Sequence, residues 1–276
     1  MARVGSTRYQ VQKILQQHNG IGSSKKDSRE TSGLTGENGH TVSNQFHSYA
    51  SIDSARSTLY NLGQYARTEH GVKDMSKINS NIVKEWLKDR DVVYNSASND
   101  LSELRKVHEH LGISKEDIKE IRTHAKQECR TSSKETRAYQ KLSKVRIAER
   151  SAVTYELMER HGLRIAEASH INIAKQLHGN TLTVSAKGGK IIQKELTPSL
   201  VSKIIQNAQN GILSQTYETF SKDLKDAVEN VGMKYNGTHG LRHSYAQRRL
   251  SEGAKLSEVS EEMGHTREEI TLTYLR

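Results

Sequence analysis

From residue 43 to 129 the apolar positions recur at three- and four-residue spacing, and the spacing predicts four helices. The first carries Phe46, Tyr49, Leu59, Leu62 and Tyr65 and ends near Gly71. The second carries Ile78, Ile82, Val83, Trp86 and Leu87. The third carries Leu101, Leu104, Val107 and Leu111 and stops at Gly112. Ser114-Lys-Glu-Asp117 opens the fourth with a capping-box pattern, followed by Ile118, Ile121 and Ala125. The period is lost over residues 129–142, which read as a linker. It returns in Ile147 to His161, a helix with Val153, Leu157 and Met158 inward and Gly162 as its stop. Thr181 to Ala186 alternates polar and apolar, Gly188-Gly189 signals a turn, and Ile191 to Leu196 is the return strand. Further helices are expected near residues 199–209, 215–231, 239–252 and 256–263. Val11, Ile14 and Leu15 share helical spacing in a short basic arm over Tyr9 to Gln17, residues 19–41 are rich in Gly, Ser, Thr and Lys, and 1–41 together read as a flexible basic arm and linker. The expected organisation is an arm over 1–41, a helical domain over 42–128, a linker over 129–142 and a second domain over 143–276.

Composition narrows the partner. Only 33% of residues are apolar and 5% aromatic, which is lean for a globular chain, so long polar or mobile segments are expected; the single proline, Pro198, is compatible with a helix-rich fold. A formal net charge of +10 points toward a polyanion. The single cysteine, Cys129, excludes an internal disulfide and a multi-cysteine zinc site, and fits a reducing compartment. No stretch is long and apolar enough to span a membrane, and no apolar leader follows the N-terminus. A cytoplasmic, nucleoid-associated protein is expected.

The chemistry concentrates at two places. Gly162-Leu-Arg164-Ile-Ala-Glu167 follows one helix stop. His239-Gly-Leu-Arg242-His243, Gly264-His265 and Tyr274 fill the last forty residues. His239 and Arg242 are three apart and share a helix face. Thr238 is the expected N-cap of that helix. Thr266-Arg-Glu-Glu269 is expected to cap a short helix carrying Tyr274, with His265 exposed at the corner before it. Attack on a phosphodiester without a metal needs fixed cations for the non-bridging oxygens, and guanidinium forks match that geometry. Arg164 and Arg242 are the clamp candidates. Tyr274 is the candidate nucleophile, with His239 to accept its proton, because a phenol with an ordinary pKa near 10 is a poor nucleophile at neutral pH. The leaving 5′ oxygen needs a proton in return, which Lys187 in the hairpin turn can give, with Lys190 and Lys194 as competitors.

This set resembles the tyrosine recombinase family, the phage-type integrases and the chromosome-dimer-resolving recombinases. The motifs span residues 162–274. The resemblance implies a mainly α fold with a small antiparallel β-sheet: an N-terminal helical, SAM-like core-binding domain followed by a tyrosine-recombinase catalytic domain. It implies catalytic roles for Arg164, Lys187, His239, Arg242, His265 and Tyr274, with His265 on a non-bridging oxygen and Glu167 buttressing the site. It implies strand exchange through a 3′-phosphotyrosine bond and a four-way junction, with no metal, ATP or other cofactor in the reaction. The implied partners are double-stranded DNA carrying an inverted-repeat core site and three further copies of the chain, two subunits per site. The expected DNA-contacting side chains are Lys84, Lys88, Arg105, Lys106, Lys190, His243 and Arg248. A mobile-element integrase is the favoured setting. The sequence ends two residues after Tyr274, so coupling through the tail that many relatives carry there is not expected. Alternatives are a type IB topoisomerase-like enzyme, which relaxes supercoils as a monomer, and a non-catalytic DNA-binding protein on the same scaffold.

Overall fold

The computed structural model describes residues 5–36, 39–131, 136–186 and 189–275. It divides into two units, Met1–Ser133 and Lys134–Arg276, each with its own apolar core.

In the first unit, helix α1 (Thr7–Gln17) is capped by Ser6 and buries Val11, Ile14 and Leu15. This corrects the expectation of a flexible arm over 1–41. Three apolar residues on one face are enough to seat α1 against a neighbour, and Gly63 leaves room for Thr7, since a Cβ there would meet the Thr7 methyl at 2.6 Å. The rest of that stretch holds a short helix α2 (Lys25–Thr31) and a two-stranded pair, β1 (Leu34–Thr35) with β2 (Thr41–Val42). The chain after α1 is pinned by the backbone: Phe46 N–H donates to His18 O at 2.8 Å, and Gly20 N–H to Phe46 O at 3.0 Å.

Helices α3 (Tyr49–Glu69), α4 (Ser80–Asp89), α5 (Tyr94–Leu104) and α6 (Lys115–Glu128) enclose Leu59, Leu62, Ile82, Val83, Trp86, Leu101 and Ile118. Ser114 and Asp117 form the reciprocal cap expected from sequence, with Asp117 Oδ2 accepting from Ser114 N at 2.7 Å. The third helix is shorter than its apolar spacing suggested. It ends at Leu104, and a 3-10 turn over His108–His110 takes its place while Val107 and Leu111 stay in the core. Two apolar positions four apart can be kept inward by a turn as well as by a helix, so the spacing alone did not decide.

The second unit begins its regular structure with α7 (Glu149–His161). Two short elements follow, α8 (Ile165–Ala168) and β3 (His170–Asn172), then α9 (Ile173–Gln176) and β4 (Leu177–His178). Strands β5 (Thr181–Ser185) and β6 (Ile191–Glu195) form the expected hairpin, and β4 extends it to a three-stranded antiparallel sheet, order β4-β5-β6. After α10 (Pro198–Asn207), strand β7 (Ile212–Ser214) pairs antiparallel with β3. Helices α11 (Tyr217–Glu229), α12 (His239–Ser251), α13 (Leu256–Glu262) and α14 (Glu268–Leu272) complete the unit, and a 3-10 turn over Thr273–Leu275 carries Tyr274. The fold is mostly helical with small antiparallel sheets. Among the described residues no helix is long and apolar enough to cross a membrane.

Gly162 serves the site in two ways. Its φ of 67° ends α7 in the left-handed region, and a Cβ there would stand 2.4 Å from the Tyr245 ring of α12. Gly162→Ala is therefore expected to destabilise the second unit by about 2–4 kcal/mol, combining left-handed strain with overpacking. Faster hydrogen exchange of the α7 and α12 amides, with α3 unchanged, is the expected readout.

Candidate active site

Arg242 is the anchor of the site. It lies on the first turn of α12 and is fully buried, 0% exposed. Nη1 donates to Gly162 O, and Nη2 to Met263 O. The guanidinium thus ties the stop of α7 to the end of α13, bringing two distant motifs to one place. Nη2 also stands 3.0 Å from His265 Nε2. An arginine only donates, so Nε2 accepts, and the remaining imidazole proton on Nδ1 goes to Thr271 Oγ1 at 2.8 Å. Among the described residues, Arg242 Nε is buried with no hydrogen-bond partner.

Glu167 joins the second arginine. Its Oε1 accepts from Arg164 Nη1 at 2.8 Å and its Oε2 from Arg164 N at 2.8 Å, while Arg242 Nη1 lies 3.9 Å from Oε2. The four-residue helix α8 makes this possible, because it sets Arg164 and Glu167 three apart with the carboxylate folded back over the helix start. Glu167 is buried, and Arg164 keeps 21% of its side chain exposed.

Tyr274 closes the ring. Its hydroxyl is 2.8 Å from His239 Nε2. Its ring packs against His243 at 4.6 Å and against His239 and His265 at 5.2 Å each, and the Arg242 guanidinium carbon is 5.7 Å from the ring centre. Burial first, and then the neighbouring Arg242, push His239 down to about 4. His265 is pushed down to about 4 by the same two causes in the same order. Both imidazoles are neutral at neutral pH, so His239 can accept a proton from the phenol it touches.

His161 is half-buried, and burial first, then the nearby Lys194, push it down to about 4 as well. These three histidines make stability pH-dependent with a fixed sign. Between about 6.5 and about 4 the unfolded chain holds protons that the folded one rejects, so stability falls as pH drops through that window. Each group adds a slope of up to about 1.4 kcal/mol per pH unit. Urea unfolding of the second unit at about pH 7 and at about pH 5 is expected to show the lower midpoint at the acid end.

Several expected placements change. Thr238 makes no side-chain cap; its backbone is already helical and its side chain is buried. Thr266 does not cap α14 either, which starts after Arg267 without a side-chain cap. His265 is 5% exposed rather than presented at an open corner, because Arg242 and Thr271 hold it inside. His243 is no surface contact for DNA: it is buried, with Nδ1 donating to Tyr274 O at 3.2 Å. Arg105 and Lys106 are used internally, Arg105 on Thr35 O at 3.1 Å and Lys106 on Gln45 O at 3.1 Å, with the Lys106 ammonium 4.5 Å from the Phe46 ring. Arg248 donates to Glu159 O at 2.9 Å. Lys84 pairs with Glu120 at 2.5 Å at the surface, and Lys88 is exposed. Lys190 donates to His265 O at 3.2 Å, bracing the residue before the turn into α14. Lys187 lies outside the described residues. Lys194 is buried on β6, 5.5 Å from the Tyr245 ring, and burial pushes it down to about 8. Its burial was not foreseen, since the alternation of β6 marks position 194 as inward without revealing that a lysine is tolerated there among Glu262 and Glu167.

A model of the phage integrase family matches residues 113–276. The chain belongs to the phage integrase family. Among curated relatives of this phage integrase family chain, the tyrosine recombinase XerD of Lacticaseibacillus casei is 30% identical over 138 residues, covering 42% of this chain and 47% of the relative. The integrase of Escherichia phage P2 is 28% identical over 115 residues, covering 41% of this chain and 34% of the relative. The matched region thus spans less than half the length of either relative. Two solved structures share the fold: the XerH site-specific recombinase bound to palindromic difH substrate (TM-score 0.68, 13% identity, covering 100% of this chain and 94% of that one), and the Tn1549 transposon integrase in complex with a circular intermediate DNA (TM-score 0.65, 14% identity, covering 98% and 95%).

Proposed function

We propose that this phage integrase family chain is a site-specific DNA recombinase that cuts and rejoins DNA through Tyr274. The observation that carries the reading is the 2.8 Å contact between the Tyr274 hydroxyl and a neutral His239, set beside Arg242, Arg164 and His265. The phenol oxygen attacks the phosphorus as His239 Nε2 takes its proton. Arg164 and the open Nε of Arg242 hold the non-bridging oxygens, where charge grows in the transition state. His265 turns from Arg242 to the phosphate, and Glu167 keeps both guanidinium groups in place. The bond to the 5′ oxygen breaks, Lys187 protonates the leaving group, and a 3′-phosphotyrosine remains. A 5′ hydroxyl from a partner strand reverses the steps. The new ester keeps the free energy of the broken one, so no ATP enters.

Strand exchange of this kind brings two duplexes together as a four-way junction held by four subunits, two on each inverted-repeat core site. The first unit serves as the core-binding domain, with Lys84 and Lys88 near the phosphate backbone. The setting is the cytoplasm and its nucleoid, and the favoured role is integration of a mobile element. The experiment uses two differently labelled duplexes carrying the inverted repeats that flank the gene, in EDTA and without ATP. Recombinant strands and a trapped four-way junction are the expected products. Relaxation of supercoiled plasmid with no junction supports the topoisomerase alternative instead, and salt-sensitive binding with neither product supports a non-catalytic DNA-binding protein.

A further inference from the structure

The first unit carries a second histidine cluster, remote in sequence from Tyr274. His18 follows α1 and is buried, 3% exposed. Its Nε2 lies 3.0 Å from His110 Nε2 and 3.5 Å from Glu109 Oε1, and His110 Nε2 lies 3.6 Å from the same oxygen. The 3-10 turn over His108–His110 presents the last two side chains together. On its other side, His18 Nδ1 stands 2.7 Å from Asn44 O. A carbonyl oxygen only accepts, so Nδ1 carries a proton, and the neutral ring keeps its lone pair on Nε2. That lone pair faces a carboxylate oxygen and another ring nitrogen.

Three electron-rich atoms converging in this way call for a cation between them. A proton shared by the two imidazoles serves one edge of the triangle. A divalent ion serves all three. Bonds of about 2.0–2.2 Å in a tetrahedral site put ligand atoms roughly 3.3–3.6 Å apart; the edges of 3.5 and 3.6 Å fall there and the one of 3.0 Å is shorter. The Nδ1–H contact to a backbone carbonyl is the support that fixes a ligating imidazole in place.

We propose that His18, Glu109 and His110 form a zinc site that ties the end of α1 to the 108–110 turn, with solvent in the fourth position. Glu109 is 63% exposed, so the open position faces water. Two imidazoles and one carboxylate suit zinc better than the all-oxygen cations. The role is structural: the ion holds α1 onto the helices it packs against, and it takes no part in the reaction at Tyr274.

The test uses the full chain, tag-free and stripped of metal, titrated with zinc chloride against a chromophoric chelator and, in parallel, with cobalt chloride. One zinc per chain and the visible absorption of a four-coordinate cobalt without a thiolate band are expected. Zinc is expected to slow hydrogen exchange in Thr7–Gln17. Glu109→Gln and His110→Gln are each expected to weaken zinc at least about tenfold. Glu109 is exposed, so that variant keeps its fold. His170→Asn, an exposed histidine of the second unit, is expected to leave zinc affinity unchanged. Absence of stoichiometric zinc at micromolar metal overturns the proposal, and so does zinc held with full affinity by both ligand variants.

Discussion

Tyr274→Phe is expected to abolish covalent capture of DNA while the chain stays folded and still binds duplex. The ring remains packed among His239, His243 and His265, so the apolar and stacking contacts survive. What disappears is the hydroxyl that contacts His239 at 2.8 Å. Loss of one such hydrogen bond costs about 1 kcal/mol of stability. Loss of the nucleophile removes the reaction itself, a fall of at least about 10⁴-fold by comparison with other catalytic nucleophiles. A nicked duplex that loses its cleaved end traps the covalent complex, and a denaturing gel counts it. Wild type is expected to accumulate the shifted band, and the phenylalanine variant none, at equal occupancy in a gel without denaturant.

Arg242→Lys is expected to damage both fold and reaction. The guanidinium spans the carbonyls of Gly162 and Met263 and reaches His265 from a fully buried position. An ammonium has three donors on one nitrogen and cannot cover that fork. A backbone carbonyl is left without a partner in the interior, while the positive charge beside Glu167 is kept. The expected loss is about 1–3 kcal/mol of stability in the second unit, with cleavage slower by about 10²–10³-fold where the variant is still folded. Arg164→Lys separates the two effects. Arg164 keeps 21% of its side chain exposed and its main partner is Glu167. Its substitution is expected to cost about 1 kcal/mol or less in stability and a similar factor in cleavage. Urea midpoints and single-turnover rates measured side by side check both expectations.

The sequence shows much of this arrangement because helix periodicity is a short-range property. His239 and Arg242 share a face by spacing alone, and Gly162 reads as a helix stop because only a residue free of Cβ fits there easily. Ser114 and Asp117 cap as read because both partners of a capping box lie within one turn. What depends on distant packing was not legible. The two- and three-residue strands β3, β4 and β7 are too short to show a period. The helix α1 reads as an arm until α3 is seen to receive it. The caps expected at Thr238 and Thr266 do not form: the Tyr139 hydroxyl holds the backbone of Asn236 and Gly237 before Thr238, and Thr271 holds His265 at the other corner. A basic residue in sequence carries no sign of its partner, so Lys106 over Phe46 and His243 under Tyr274 look like free surface groups until the fold is known.

The claim at the centre is that positive and imidazole groups from separate helices make one phenol oxygen attack DNA. Protease digestion of the trapped covalent complex, followed by mass spectrometry of the nucleotide-bearing peptide, addresses it directly. The result expected is a single modified peptide with the nucleotide joined through a 3′ phosphate to Tyr274 and a free 5′ hydroxyl on the other strand. Attachment to a different side chain, or through a 5′ phosphate, contradicts it.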